Sequence, residues 1–159
     1  MRSEFLALDD DALLKKCRID NFRSTGPGGQ HRNKTDSAVR LTLNDHQISA
    51  SADESRSQHQ NRLQALKRLR REIAYHLREE EILTWDDDVK MNIDNPKYPS
   101  FLGIVVDALI VTEYKLGEAA QHIGITTGKL NKALQRDKQL WDFVNQERQK
   151  LGLKTLRMK

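Results

Sequence analysis

Residues 37–78, SAVRLTLNDHQISASADESRSQHQNRLQALKRLRREIAYHLR, change hydrophobic period midway. From Ser37 to Leu43 the apolar Val39, Leu41 and Leu43 alternate with Ala38 and Arg40. A period of two belongs to a strand with one face on a core. Asn44-Asp45 supplies turn chemistry, and Gln47 to Ala52 reads as the returning strand of a hairpin. A helix is expected to start near Glu54 or Ser55. Its apolar residues Leu63, Leu66, Leu69, Ile73 and Leu77 recur at three- and four-residue steps and build one stripe. Arg62, Lys67, Arg68, Arg70, Arg71 and Arg78 fill much of the rest. Packing stripe on sheet buries both apolar faces, so an α+β unit is expected: a small antiparallel sheet on a long basic helix, basic side outward.

Upstream, residues 9–16 suit a short helix capped by an Asp. Cys17 to Arg23 alternates through Ile19 and Phe22 and reads as a further strand. Ser24 to Gln30 packs three glycines and a proline into seven residues and reads as a loop. Downstream the pattern becomes helical throughout. Asn95-Pro96 and Tyr98-Pro99 break structure, and Ser100 is expected to cap an apolar helix through Tyr114. Gly117 to Ile123 and Thr127 to Arg136 read as short helices around a turn at Gly124. Asp137 is expected to cap a last helix that Gly152 ends. The expected domains are residues 1–81, α+β, and residues 82–159, an all-α extension. Trp85 and Trp141 are expected in its core.

Charge is segregated along this chain. Lys15 to Arg78 hold fourteen Lys and Arg against six Asp and Glu, whereas residues 79–159 hold twelve against thirteen. A basic middle block suits a polyanion partner. The longest apolar run, around Phe101 to Val111, is too short to span a bilayer, so no membrane role is expected. The N-terminal residues fit neither a secretory signal nor a transit peptide. Cys17, the only cysteine, excludes an internal disulfide and suits a reducing cytoplasm. His31, His46, His59, His76 and His122 do not group with Cys or acids at ligand spacing, so no metal and no cofactor are expected. There is no nucleophile-elbow serine and no P-loop.

The stretch RSTGPGGQHRNKT, Arg23 to Thr35, carries the chemistry. Its glycines allow backbone conformations closed to other residues and close approach to a partner. Gln30 can donate and accept but has no useful pKa, which suits placing a water or a leaving oxygen rather than abstracting a proton. His31 lacks an acid placed to orient it as a base. From Arg23 through Arg40, and again over Arg56-Ser57-Gln58-His59-Gln60-Asn61, the sequence closely resembles the catalytic domain of class I peptide chain release factors and their codon-independent relatives. Loop, hairpin and basic helix follow in the family's order over about residues 15–80.

The resemblance implies that the Gly-Gly-Gln loop, residues 24–32, enters the peptidyl-transferase centre of the large ribosomal subunit. There a water hydrolyses the ester joining the peptide to P-site tRNA. Gly28 and Gly29 would set the backbone. The Gln30 main-chain N–H would stabilise charge on the leaving 3′ oxygen, while its side chain orients water. Implied partners are large-subunit rRNA, P-site peptidyl-tRNA and a methyltransferase acting on Gln30; a monomer is expected. Arg23, His31, Arg32 and Lys34 are expected to contact RNA, Arg32 and Lys34 through phosphate. Asn33, which can also cap a following helix, belongs to the same expected surface. Arg56, Gln58, Asn61 and Arg62 are expected to touch RNA or support the loop.

Only about fourteen residues precede the resembling span, so codon-independent hydrolysis, as in ribosome rescue, is expected. The chain departs from rescue relatives that end in a disordered basic tail. Leu140 to Lys159 carries five basic and two acidic residues mixed with Leu and Trp and reads as folded. The alternative is a non-catalytic RNA- or DNA-binding regulator. It would use Glu118 to Leu134, which has helix-turn-helix spacing with Lys129, Lys132 and Arg136 on one face of the second helix.

Overall fold

The structure, a computed structural model, describes residues 1–24 and 36–158. These divide into two compact units, Met1–Leu77 and Arg78–Lys159. The first unit opens with two short helices, α1 (Arg2–Leu6) and α2 (Asp10–Lys15). Asp9 caps α2 by accepting the Ala12 N–H at 2.8 Å. Three antiparallel strands follow in the order β1 (Cys17–Phe22), β2 (Ala38–Leu43) and β3 (Ile48–Ala52). Helix α3 (Gln58–His76) then packs on β2 and β3. The α+β class expected from the change of period is the one observed.

Register sets which residues share a face. Leu43 lies opposite Ile48, Leu41 opposite Ala50 and Val39 opposite Ala52. Because strand side chains alternate, Val39, Leu41 and Leu43 all reach the core beneath α3. They meet Ala65, Leu66, Leu69, Ile73 and Leu77 from the helix and its end, and Leu13 from α2. β1 is the weaker wall. Ile19 stays 39% exposed, and Phe22, at odd spacing from Ile19, lies on the other face under the Arg40 guanidinium at 4.9 Å.

Four details of this unit correct the sequence expectation. The hairpin turn runs Asn44–Gln47, with Gln47 at φ 56, and the returning strand starts one residue later at Ile48. Helix α3 starts at Gln58 rather than near Glu54, since the Ser57 hydroxyl caps it by accepting the Gln60 N–H. Leu63 is off the buried stripe. At about 3.6 residues per turn it falls on the flank of the face defined by Leu66, Leu69 and Ile73. It is 40% exposed and lines an open cleft of about 790 Å³ with Gln60, Gln64 and Lys67. Nor do all the arginines face outward. Arg70 is largely covered and donates to the Leu8 carbonyl at 2.9 Å and to Asp10 at 3.0 Å, tying the N-terminal helices to α3.

Leu66 sits at the centre of this core, 1% exposed. Leu66→Ala is expected to cost about 2–5 kcal/mol, because the lost contacts leave a cavity between two rigid layers. Urea unfolding followed by circular dichroism measures this; a loss below about 1 kcal/mol would mean the layers collapse to fill the gap. Cys17 gives a second test. Burial pushes its thiol above the ordinary pKa, and the S–H donates to the Leu13 carbonyl at 3.3 Å. A raised pKa means less thiolate at any pH below it, and thiolate is the nucleophile. Iodoacetamide at mildly alkaline pH should therefore alkylate Cys17 several-fold more slowly than an unfolded cysteine, and urea should abolish the difference.

The second unit holds α4 (Tyr98–Val111), α5 (Leu116–Ile123), α6 (Thr127–Arg136) and α7 (Lys138–Lys150). Ser100 does not cap α4. The helix begins three residues earlier than that cap would place it, at Tyr98 after Lys97, with Pro99 in its first turn. Proline is favoured there because its φ is preset and the missing N–H has no intrahelical partner. The helix stops at Val111, short of Tyr114, where Glu113 and Tyr114 take φ of 52° and 61°. Tyr114 then packs edge-on against Phe143. Asp137 caps α7 as expected, accepting the Leu140 N–H at 3.2 Å, and also accepts the buried Tyr98 hydroxyl at 2.5 Å. Trp85 packs on Phe101, and Trp141 is 7% exposed. No helix among the described residues is long and apolar enough to cross a membrane.

Candidate functional site

Gly28, Gly29, Gln30, His31, Arg32, Asn33 and Lys34 lie outside the described residues. The structure does show what flanks them. The segment leaves the end of β1 at Arg23 and Ser24 and returns at Asp36 and Ser37 before β2. Since Phe22 lies opposite Ala38, antiparallel pairing alone brings the two ends together.

A set of polar bonds fixes these ends on the turn before α3. Arg23 Nε donates to Asp36 Oδ1 at 3.0 Å, an ion pair across the mouth of the segment. Both groups are more than half exposed, so the pair contributes at most about 1 kcal/mol. Ser24 Oγ donates to Asp53 Oδ2 at 2.6 Å, and Gln58 Nε2 donates to the Asp36 carbonyl at 3.0 Å. Asn61 is the centre of the arrangement and is fully buried. Its Nδ2 donates to the carbonyls of Ser37 and Ser55, each at 2.8 Å, and its Oδ1 accepts the Ser55 N–H at 2.9 Å. One side chain thus joins the returning end of the segment to the turn that starts the helix.

The expected RNA-facing residues therefore separate. Asn61 supports and does not face a partner, because its amide is sealed inside. Gln58 is half-buried and engaged at the mouth. Arg56 is exposed, and Arg62 is half-buried one position after Asn61. Arg23 reaches Asp36 instead of standing alone. Arg40, Arg56 and Lys67 are exposed and have no acidic partner among the described residues. Arg68 is committed elsewhere. It donates to the Ser51 carbonyl at 2.7 Å and pairs with Glu54, and its guanidinium holds the Glu54 carboxyl below the usual carboxylate range.

Sequence reasoning did not single out Asp36, Asp53, Ser37 or Ser55. Single acids and serines beside a turn look like solvated polar residues. Their partners stand six to twenty-nine positions away and become visible only through strand register. Among the described residues no three His, Cys, Asp or Glu side chains gather as a metal site requires.

A family model described as RF-1 domain matches residues 11–93, just over half of the chain. The chain is 33% identical over 131 residues to peptide chain release factor 1 of Limosilactobacillus reuteri, covering 82% of this chain and 34% of that protein. It is 50% identical over 79 residues to peptide chain release factor 1 of Dictyoglomus thermophilum, covering 49% and 22%. It is 54% identical over 55 residues to peptide chain release factor 2 of Paramagnetospirillum magneticum, covering 35% and 15%. The chain thus spans about a third or less of the length of these curated relatives.

Proposed function

The chain belongs to the RF-1 domain family, and from that premise we propose that it is a ribosome-dependent peptidyl-tRNA hydrolase that releases nascent chains without reading a stop codon. The observation that carries the reading is the mount around residues 24–37. Both ends of the Gly-Gly-Gln segment are bonded to the Asp53–Asn61 turn by Ser24, Asp36, Ser37, Gln58 and Asn61. A glycine-rich segment held at its base suits insertion into a cavity supplied by another molecule.

The reaction is addition of water to the ester carbonyl carbon. The bond from that carbon to the tRNA 3′ oxygen breaks, the peptide leaves as a carboxylic acid, and the water's proton passes to the 3′ oxygen. Gly28 and Gly29 allow close backbone approach. The Gln30 main-chain N–H faces the oxygen where charge develops, and the Gln30 side chain orients the water. Placement supplies most of the acceleration, and the residues carry no protein base. Arg32, Lys34 and the exposed Arg40, Arg56 and Lys67 supply phosphate contacts to rRNA or tRNA. A methyltransferase acting on the Gln30 side-chain amide is a further partner of the proposed function.

Codon independence is the finer part of the proposal. The test is release of labelled peptide from ribosomes holding peptidyl-tRNA with a sense codon, a stop codon or a truncated message in the decoding site. Release in all three, and little from free peptidyl-tRNA, is expected. Release with a stop codon alone would overturn codon independence and keep the hydrolase; no release in any arm would overturn both.

A further inference from the structure

The second unit contains a surface that the proposed hydrolysis does not use. Helices α5 and α6 are joined by the three residues Gly124, Ile125 and Thr126, with Gly124 at φ 85. A left-handed residue is what turns the chain sharply between two helices, and a short glycine-bearing turn defines the helix-turn-helix arrangement. Ala119, Ala120, Ile123, Leu130, Ala133 and Leu134 are buried, so one side of each helix is spent on the core. Thr126 caps α6 by accepting the Lys129 N–H. A Cβ on Gly117 would stand 3.9 Å from Thr127 Oγ1, which places the first turns of the two helices side by side.

The outer side of α6 is basic and carries no acid. From Ala119 to Arg136 there are three cationic residues and no Asp or Glu. Lys129, Lys132 and Arg136 recur at three- and four-residue steps and are exposed. Lys129 and Lys132 have no acidic partner among the described residues. Arg136 donates to the Val89 carbonyl, which ties the end of α6 to the stretch before α4. The first positions of α6 are short: Thr127 and Gly128 are exposed, and nothing stands within 4 Å of a Cβ added to Gly128.

We infer that the outer face of α6 docks on the phosphate backbone of duplex RNA, through Lys129 and Lys132, and does so without reading sequence. Reading base edges in a groove requires side chains of reach and fixed geometry at the start of the second helix. Glycine there has no side chain and threonine has a short one, while lysine is a mobile point charge suited to phosphate. Lys129 and Lys132, neighbours on one helix face beside the exposed, side-chain-poor Thr127 and Gly128, suit phosphates along the edge of the wide, shallow minor groove of an A-form helix. The surface argues for phosphate; the preference for RNA over DNA rests on the ribosomal function proposed above. A second duplex contact in this unit would hold the protein on structured RNA while the first unit acts elsewhere.

The test measures binding and needs no hydrolysis, so its failure is distinct from failure of the hydrolase. Fluorescence anisotropy of the full chain is followed on an RNA duplex of roughly sixteen base pairs, on the DNA duplex of the same sequence and on a single strand, across a range of salt. Removing two phosphate contacts lowers the slope of log affinity against log salt by about one and a half to two. Lys129→Gln with Lys132→Gln is expected to do so on RNA, with affinity down about tenfold at low salt. Lys138→Gln is the control, since Lys138 pairs with Asp142 at 2.5 Å on the next helix. An unchanged slope in a folded double variant would overturn the proposal. A loss confined to the DNA duplex would overturn it too and make the surface a DNA-binding one. Unchanged hydrolysis beside a lowered slope would support it.

Discussion

Gly29→Ala and Gln30→Ala are each expected to lower peptide release on ribosomes by about 10²–10³-fold, the cost of losing one well-placed stabilising group in a preorganised site. Gly29→Ala acts through the backbone, because a Cβ restricts the conformations open to the segment and blocks close approach. Gln30→Ala acts on the water, since the side-chain amide that orients it is gone while the main-chain N–H remains. Gln30→Pro separates the two roles. Proline has no backbone N–H, so it removes the donor assigned to the leaving oxygen. If that donor carries charge stabilisation, Gln30→Pro should be the slowest of the three under single-turnover conditions. Ribosome affinity should stay within about threefold in all of them, because the phosphate contacts are made by other side chains. Release at the unsubstituted rate from any folded Gly29 or Gln30 variant would remove the segment from the reaction.

How much of this was legible beforehand depends on the range of the interaction. The hairpin and α3 announced themselves because their periods are local, and Val39, Leu41, Leu66 and Leu69 duly form the core. Asp137 was visible as a cap because its partner, the Leu140 N–H, is three residues away. Pro99 was misread because a proline ends one helix as readily as it opens another; only the neighbours decide. Leu63 was misread because three- and four-residue steps admit a stripe on either flank, and the sheet selects one. Residues Arg23 to Arg40 pointed to the chemistry, and Gln58 and Asn61 stood among the residues expected to touch RNA or support the loop, whereas their partners Asp36, Ser37 and Ser55 did not show. Arg70 looks like a member of a basic helix face, yet it turns to partners fixed by tertiary packing, and which of the two roles Asn61 takes is likewise decided by packing.

The other large effect is expected from Asn61. Asn61→Leu keeps the number and branching of the side-chain heavy atoms and removes every polar one. The Ser55 N–H and the Ser37 and Ser55 carbonyls then lose the partners they have in a site closed to solvent. An unsatisfied buried group costs about 1–3 kcal/mol, and relaxation of the turn recovers part of it, so a net loss on the order of 2–4 kcal/mol is expected. Asn61→Asp isolates the donor half. Its carboxylate can still accept the Ser55 N–H but faces two carbonyl oxygens it cannot satisfy, so it should fall near the leucine variant. Gln58→Ala, which loses one partly exposed bond to the Asp36 carbonyl, should cost under about 1 kcal/mol. Activity distinguishes support from mere stability. A displacement of about 1 Å at a reacting group costs about 10²-fold in rate. Gln58→Ala, still folded, is therefore expected to lower kcat of release by about tenfold with little change in KM. Asn61→Leu, assayed well below its Tm, should lower kcat by about 10²-fold. If both variants lose stability as expected but release peptide at the normal kcat while folded, these bonds hold the domain together without placing the Gly-Gly-Gln segment.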